Sequence, residues 1–362
     1  MRVLHAAAGN LYGGVERILV ELARVSGGRH EFALAFDGRL TRELDAIGAR
    51  RHAIGEARFS RPLSIWHARR RLGAVARAGR FDAVVCHSPW AYSLAAPALE
   101  MPPALWVHDA LRGDHWTERR VAASPPSRAI CNSQYTASAL QTWLTNTSRE
   151  VVYAPVAAPQ RTTSARAVRA QLGADDDTVV IAIASRFERW KGHAELVRAV
   201  AGLSGNWVLW IAGGPQRPHE RELETDVRVR VGARGLSNRV KFLGERTDVP
   251  DLLAAADIHC QPNSAPEPFG LAFVEALHAG LPVVTSDAGG AREIVTSDCG
   301  VLVPPGDVAA LRQALADLMA NPEQRARLGA AGPERARELC DPERQLASLE
   351  AALAGTRTWV AA

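Results

Sequence analysis

Short apolar runs and amphipathic segments alternate along almost the whole chain. Apolar runs of strand length cover residues 2–8, 31–37, 81–88, 103–109, 128–132 and 150–154, and again residues 178–185, 207–212, 240–243, 258–261 and 282–286. Between them, apolar residues recur at the three-to-four-residue spacing of helices. This alternation predicts an α/β fold with parallel sheets and right-handed crossovers.

A proline-containing segment separates these runs into two series and so indicates two domains. Residues 154–159 read Ala-Pro-Val-Ala-Ala-Pro, and a polar run follows, as expected of a linker. We therefore expect a first doubly wound, Rossmann-like domain over residues 1–156 and a second over residues 157–342. A group of helices from residue 308 closes the chain.

The composition is that of a soluble globular protein. The 362 residues are 47% hydrophobic and 23% charged, with a mean hydropathy of −0.10. No apolar run approaches the roughly 20 residues that span a bilayer. The first residues enter a strand-like run without a secretory pattern, and the five cysteines are scattered. Reduced thiols in a cytoplasmic protein are therefore expected.

Positive charge is concentrated in the first half of the chain. Residues 1–155 carry 20 arginines against 13 acidic residues, whereas the remainder is slightly acidic. A predicted helix over residues 64–78 places Arg69, Arg70 and Arg71 off its apolar face. One interpretation is attraction to an anionic membrane surface or a phosphorylated acceptor. The other is a crossover helix with a solvated basic face. No nucleic-acid-binding module is recognisable, so nucleic acid is not expected as a partner.

One strand-to-helix junction has the features of an anion site. It reads Glu-Pro-Phe-Gly-Leu-Ala-Phe-Val-Glu, from Glu267 to Glu275. Phe269, Gly270 and Leu271 are predicted to form the first turn of the helix, where backbone N–H groups lack intrahelical partners. The two carboxylates flank that turn, which suits a diphosphate with hydroxyl groups on either side, as in a nucleotide sugar. The alternative is an ordinary amphipathic helix with an acidic start.

Two cations and a histidine also lie at predicted strand ends. The chain has 41 arginines and two lysines, so Lys191, at a strand-to-helix turn shortly after Arg186, stands out as a point charge for phosphate. His108 and Asp109 end another predicted strand, at the edge where doubly wound sheets bind ligands. A surface lysine and a structural histidine are the alternatives.

Two other patterns point away from cofactors and metals. The first glycine turn, residues 9–14, does not follow G-x-G-x-x-G, and Asp37 is a poor match for the acidic residue of a dinucleotide site. Asp175, Asp176 and Asp177 precede a strand and so lie at the edge opposite the expected ligand edge. A solvated turn is favoured there. We therefore expect no bound cofactor and no metal site.

Taken in order, the motifs resemble those of the family 4 glycosyltransferases over nearly the whole chain. The matching residues are Gly13-Gly14-x-Glu16, His108, Arg186 with Lys191-Gly192, Gly213-Gly214-Pro215, Phe242-Leu243-Gly244, and Glu267 with Glu275. The resemblance implies the GT-B architecture, in which two doubly wound domains face a cleft. It also implies that a last helix, about residues 343–362, returns to the first domain.

The resemblance assigns roles to these residues. Glu267 would hold hydroxyl groups of the donor sugar, His108 would face the reacting sugar, and Arg186 with Lys191 would neutralise the diphosphate. The positions implied for binding the donor nucleotide, its ribose and its phosphates are Gly13, Gly14, Gly214, Leu243, Phe269, Gly270, Leu271 and Glu275.

The implied reaction is transfer of a hexose-type sugar from a UDP or GDP donor to a glycan, lipid-linked or small-molecule acceptor. It would occur in polysaccharide or glycolipid synthesis at the inner face of a membrane, with retention of anomeric configuration and without a metal. Fixed cations and a helix N-terminus would stabilise the departing diphosphate. Alternatives are a sugar-nucleotide epimerase or hydrolase and a non-catalytic nucleotide-sugar-binding protein. A pyridoxal-dependent phosphorylase is disfavoured, because Lys191 and Lys241 are the only lysines.

Overall fold

The computed structural model describes residues 1–354, which divide into two compact units. Of the described residues, unit 1 contains 1–157 and 340–354, and unit 2 contains 158–339. The boundary falls within the predicted linker at residues 154–159. Residues 355–362, which belong to the predicted last helix, lie outside the described residues.

Unit 1 is built on a parallel sheet that has seven strands within the described residues. In chain order they are β1 Val3–Ala7, β2 His30–Leu34, β3 Arg51–Ala53, β4 Ala83–Cys86, β5 Ala104–Val107, β6 Arg128–Cys131 and β7 Ser148–Val151. Their order across the sheet is β3-β2-β1-β4-β5-β6-β7. The direction of winding therefore reverses between β1 and β4, as in a doubly wound fold.

Helices cover this sheet, so its central strands β1, β4 and β5 are buried and, apart from His5, apolar. They are α1 Gly14–Val25, α2 Arg39–Ala46, α3 Pro62–Gly79, α4 Pro89–Ala95, α5 Trp116–Ala123 and α6 Gln134–Gln141. Serine side chains at Ser88 and Ser133 cap α4 and α6 by accepting backbone N–H bonds. A distant segment, numbered α15 because it comes last, spans Pro342–Ala354 and packs against α1.

Unit 2 repeats the architecture with a six-stranded parallel sheet. Its strands are β8 Val179–Ala184, β9 Trp207–Ala212, β10 Val240–Gly244, β11 Ile258–Gln261, β12 Val283–Ser286 and β13 Gly300–Val303. The order across the sheet is β10-β9-β8-β11-β12-β13, so the winding reverses between β8 and β11. The helices are α7 Ala165–Leu172, α8 His193–Val200, α9 Pro218–Ala233, α10 Val249–Ala254, α11 Leu271–His278, α12 Ala291–Ile294, α13 Val308–Ala320 and α14 Pro322–Cys340.

The doubly wound α/β architecture predicted from the sequence is confirmed in both units. Two strands had no predicted counterpart, β3 and β13, and both lie at the edge of their sheets. An edge strand packs against one neighbour and needs less apolar surface, which explains β3, an Arg-His-Ala segment with no buried residue. The same reason does not cover β13, which reads Gly-Val-Leu-Val. Among the described residues, no helix combines the length and apolarity needed to cross a membrane.

Candidate active site

The candidate site in unit 2 lies where the loops after β8 and β11 meet. Because the winding reverses between these adjacent strands, their following loops start from neighbouring strand ends and turn toward opposite faces of the sheet. Gly192 in the first loop has a φ of +77°, and a Cβ there would lie 1.9 Å from the carbonyl oxygen of Pro262 in the second. Only glycine allows this approach. Close backbone packing thus explains why the second residue of the Lys-Gly motif, Gly192, is a glycine.

A buried ion pair joins the two loops. Nζ of Lys191 lies 2.9 Å from Oε2 of Glu267, and the two side chains are 16% and 8% exposed. The ammonium also sits 3.8 Å from the centre of the Trp190 ring, a cation–π contact. With little water present, this pair is screened far less than a surface pair.

Two amides complete the surroundings of Glu267. Nδ2 of Asn263 and Nε2 of Gln261 donate to Oε2, at 2.7 and 3.2 Å. Three donors therefore converge on Oε2 of Glu267. None of these contacts uses Oε1, which can accept a hydrogen bond from a ligand. The sequence reasoning missed both amides. Their position at the carboxyl end of β11, where Gln261 is the last strand residue and Asn263 lies between the strand and Glu267, is the signal that could have found them.

Helix α11 begins at Leu271, with Gly270 at its N-cap and Phe269 before it. The predicted first turn is thus wrong for Phe269, whose side chain is buried. Gly270 has a φ of +115°, and a Cβ there would lie 2.3 Å from the ring of Phe273. Packing and backbone conformation therefore require this glycine, which the sequence reasoning had explained by the approach of a phosphate. Glu275 is buried just over one turn along α11, 6% exposed.

Arg186 follows β8 at the same edge of the sheet, but carboxylates hold it. Its Nη1 donates to Oε1 of Glu220 at 2.9 Å and its Nη2 to Oε1 of Glu188 at 2.8 Å. Glu220 is fully buried and also accepts the backbone N–H of Gln216 at 2.6 Å. The carboxylates of Glu220 and Glu188 thus hold the guanidinium of Arg186 in place. Glu220 lies inside α9, 34 residues away, and no sequence signal links it to Arg186.

The remaining predicted positions of unit 2 lie on the β9 and β10 side of the sheet. Gly213 has a φ of +145°, and a Cβ there would lie 1.9 Å from the carbonyl oxygen of Ser185, so the β9 loop closes on the end of β8. A Cβ on Gly214 would lie 3.2 Å from Glu245, just past β10. Leu243 is half-buried within β10 itself.

In unit 1, Gly13 and Gly14 lie at the start of α1, after the loop that follows β1. Gly13 is the N-cap of α1, and its N–H donates to Oε2 of Glu16 at 2.8 Å. Gly14 is the first residue of the helix. The Gly-Gly-x-Glu motif is thus a helix cap in which the acid of the first turn satisfies a backbone donor.

His108 directly follows β5 and ends a row of four hydrogen-bonded imidazoles. His30 Nδ1 lies 2.9 Å from His5 Nε2, His5 Nδ1 lies 2.8 Å from His87 Nε2, and His87 Nδ1 lies 3.0 Å from His108 Nε2. We call these four residues the histidine row. The sequence reasoning singled out only His108, although His5 and His87 lay in predicted strands and His30 directly preceded one.

Burial keeps the histidine row uncharged. It lowers the pKa of His108 to about 3. It also lowers the pKa of His30 to about 4, against the opposing attraction of Glu350. The pKa values of His5 and His87 lie well below 6.5, first because of burial and then because each faces other histidines.

The structure therefore brings Lys191, Glu267, Gly270 and Leu271 together at the switch point of unit 2, with Arg186 and Gly214 on the adjoining loops. His108, Gly13 and Gly14 lie at the carboxyl edge of the sheet in unit 1. Within residues 1–354, no three His, Cys, Asp or Glu side chains are grouped in a way that could hold a metal ion. Metal independence stays a prediction.

Two family sequence models match consecutive parts of the chain. The model described as Glycosyltransferase Family 4 matches residues 12–157, and the one described as Glycosyl transferases group 1 matches residues 164–335. Together they account for both units.

Curated relatives share parts of the sequence. The chain is 36% identical over 178 residues to the GDP-mannose-dependent monoacylated alpha-(1-6)-phosphatidylinositol monomannoside mannosyltransferase of Corynebacterium glutamicum, covering 46% of this chain and 44% of that protein. It is 35% identical over 171 residues to the lipopolysaccharide core biosynthesis glycosyltransferase LpsD of Rhizobium meliloti, covering 47% of each. The matches thus span about half the length of these relatives.

Among solved structures, HepE of Anabaena in complex with UDP and glucose is similar over 98% of this chain and 100% of that chain. Its TM-score is 0.86, at 26% sequence identity.

Proposed function

We propose, because the chain belongs to the family 4 glycosyltransferases of GT-B architecture, that it transfers a hexose-type sugar from a nucleoside diphosphate donor to a glycan or lipid-linked acceptor. Its relatives are named for phosphatidylinositol mannoside and lipopolysaccharide core synthesis, and HepE was solved with UDP and glucose. These names support a role in glycolipid or polysaccharide synthesis with UDP or GDP as the leaving group.

The observation that carries this proposal is the Lys191–Glu267 pair beside the start of α11. An ammonium has three N–H donors, and Glu267 takes one of them, so Lys191 retains donors for a phosphate oxygen. The first backbone N–H groups of α11 add further donors and the positive end of the helix dipole. Oε1 of Glu267 is an acceptor for sugar hydroxyls. A diphosphate and a sugar thus find complementary groups at adjacent atoms.

The same groups support chemistry at the anomeric carbon. As the glycosidic bond to phosphate breaks, negative charge grows on the diphosphate, and fixed donors stabilise that charge more than they stabilise the ground state. We propose that transfer proceeds with retention by front-face attack, with the departing phosphate taking the acceptor's proton. Such a path needs no enzyme nucleophile.

A ligand panel tests the proposed donor. Thermal unfolding of the purified chain is measured with UDP, GDP and their glucose and mannose conjugates. A ligand that binds only the native state at 100 times its dissociation constant adds about 2.7 kcal/mol. We expect the nucleotides of one base to raise the melting temperature and the other to leave it nearly unchanged. A panel without any shift would contradict the proposed donor class.

Donor turnover with and without acceptor then separates a transferase from a hydrolase or epimerase. A transferase consumes the sugar nucleotide slowly until an acceptor, such as a lipid extract containing inositol phospholipid or lipopolysaccharide core, is added. Rapid turnover without acceptor would instead identify a hydrolase or epimerase.

We also propose that α3 of unit 1 meets an anionic membrane surface. Leu63 and Trp66 are 76% and 53% exposed on this helix, and Arg70 lies over the Trp66 ring, 5.5 Å from its centre. Exposed apolar side chains beside arginines suit the boundary between lipid headgroups and acyl chains. Pelleting with vesicles of anionic lipid should be strong at low salt and weak at high salt. Equal pelleting with neutral vesicles would contradict the idea.

A further inference from the structure

The histidine row runs diagonally across four adjacent inner strands of the unit 1 sheet, from the amino ends of the strands to their carboxyl ends. His30 begins β2, His5 lies inside β1, and His87 and His108 follow β4 and β5. The row starts near the amino edge and ends at the carboxyl edge, where His108 lies. Its surroundings are apolar, because Phe32 stacks on His5 and the Trp106 ring packs against His87 and His108.

The three ring-to-ring hydrogen bonds determine where the N–H hydrogens of the histidine row lie. Four neutral imidazoles carry four N–H groups, one each. Each of the three ring-to-ring contacts, at 2.8 to 3.0 Å, needs one hydrogen between its nitrogens. One N–H is therefore left over, and it must lie at one end of the row. Either Nε2 of His30 or Nδ1 of His108 carries it, and the choice fixes the tautomer of every ring.

The charges at the two ends differ. At the first end, Nε2 of His30 lies 3.5 Å from Oε1 of Glu350, on α15, as a charge contact without hydrogen-bond geometry. Arg29 and the amino group of Met1 also face that carboxylate, at 3.3 and 3.4 Å. At the other end, Nδ1 of His108 is buried and has no hydrogen-bond partner among the described residues. A carboxylate attracts an N–H and repels a nitrogen lone pair.

We propose that Glu350, His30, His5 and His87 are positioning residues that set the tautomer of His108. The extra hydrogen lies on His30, facing Glu350, and each ring donates from Nε2 to Nδ1 of its neighbour. His108 then donates from Nε2 to His87 and presents Nδ1 as a hydrogen-bond acceptor. A sugar hydroxyl is a donor that would satisfy this acceptor once it reaches the buried atom. This last assignment rests on the proposed function, whereas the tautomer does not.

Nitrogen-15 NMR of the full-length chain with labelled histidine tests the tautomer directly. The His108 signals are identified from their loss in His108→Gln. In the wild type at pH 7.5, Nδ1 should resonate as an unprotonated ring nitrogen and Nε2 as a protonated one. A protonated Nδ1 on His108 would overturn the proposal, whether or not the protein has transferase activity.

Glu350→Gln tests the long-range control without disturbing the rings. The neutral amide of the glutamine both donates and accepts, so the preference of the extra hydrogen for Nε2 of His30 disappears. The signals of the two His108 nitrogens should then shift toward averaged positions. Glu343→Gln, an exposed position on the same helix, is the matched control and should leave them unchanged. Unchanged His108 signals in Glu350→Gln would also overturn the proposal.

His5→Phe interrupts the row, with His259→Phe in unit 2 as a control for the loss of a buried histidine. The interruption should give mixed His108 tautomers, whereas His259→Phe should leave a single one. An even mixture halves the competent fraction, so kcat/KM should fall about twofold. A single, unchanged tautomer in folded His5→Phe would contradict the proposal. Should that variant not fold, the Glu350→Gln spectrum decides.

Discussion

Nζ of Lys191 lies 2.9 Å from Oε2 of Glu267, so the cation proposed for the donor phosphate is already paired with the carboxylate proposed for the donor sugar. The pair joins the loops after β8 and β11 at the point where the winding of the sheet reverses. It orders both groups before a ligand arrives, which lowers the entropy cost of binding. Each group therefore has a structural role as well as a proposed chemical one, and the variants must separate the two.

Removing the ammonium should reduce turnover more than it disturbs the fold. Lys191→Met is expected to lower kcat/KM at least tenfold, about 1.4 kcal/mol of transition-state stabilisation. It should also destabilise the protein by about 3 kcal/mol, because Glu267 loses its buried counter-ion. Adding Glu267→Gln should restore stability but not activity. The matched control is Lys241→Met, at the chain's other lysine, which should stay within about twofold of wild type.

A parallel pair of variants tests Arg186. Arg186→Ala leaves the fully buried Glu220 without its cation and should cost about 3 kcal/mol in urea unfolding. Arg186→Ala with Glu220→Gln should regain most of that stability, since a glutamine oxygen still accepts the N–H of Gln216. If Arg186 also binds the diphosphate, the double variant stays impaired in transfer. Full activity in the double variant would assign Arg186 to structure alone.

Gly270 should tolerate no side chain. Its φ of +115° is strained for alanine, and a Cβ would meet the Phe273 ring at 2.3 Å. Gly270→Ala is therefore expected to cost about 3 kcal/mol. Gly306→Ala is the control, because Gly306 also has a positive φ but nothing within 4 Å of the new Cβ. It should cost about 1 kcal/mol. Equal losses for the two variants would mean that the contact with Phe273 does not matter.

Stability should fall steeply between pH 6.5 and pH 5. Burial lowers the pKa of six histidines: His5, His30, His87, His108, His193 and His259. In the unfolded chain they take up protons near pH 6.5, whereas the folded chain keeps them neutral to lower pH. Their stabilising contribution is thus complete above about pH 6.5 and is lost as the pH falls, by at most about 1.4 kcal/mol per pH unit for each group.

Urea unfolding at pH 7.5, 6.5, 5.5 and 5.0 measures this slope. His259→Phe should reduce it, since one of the six groups no longer titrates. A free energy of unfolding that stays level from pH 7.5 to pH 5.0 would show that these histidines take up protons as readily in the folded protein as in the unfolded chain.

The fold was largely predictable because buried parallel strands are continuous apolar runs. The runs at β8 and β9 are wholly apolar and match the observed strands to within a residue or two. The weak points were edge strands and exact helix starts. β3 has no apolar run to recognise, and Phe269 is held outside α11 by the left-handed conformation of Gly270. Such boundaries depend on tertiary packing.

The candidate site was predictable as residue types at strand ends, but its internal pairing was not. Lys191 and Glu267 are 76 residues apart, and only the strand order brings them together. Glu220 is unremarkable in sequence, since an acid in the first turn of a helix is common. The histidine row depends on the register of three adjacent strand pairs, which sequence periodicity does not reveal.

The central claim is that Lys191 and the start of α11 bind the donor's diphosphate, and calorimetric titration tests it most directly. UDP and GDP are compared with uridine and guanosine, so that the phosphate contribution is the difference in binding free energy within each pair. Wild type should favour the preferred diphosphate over its nucleoside at least a hundredfold, and folded Lys191→Met should lose at least tenfold of that preference, about 1.4 kcal/mol. A preference that is the same in Lys191→Met, Lys241→Met and wild type would contradict the claim.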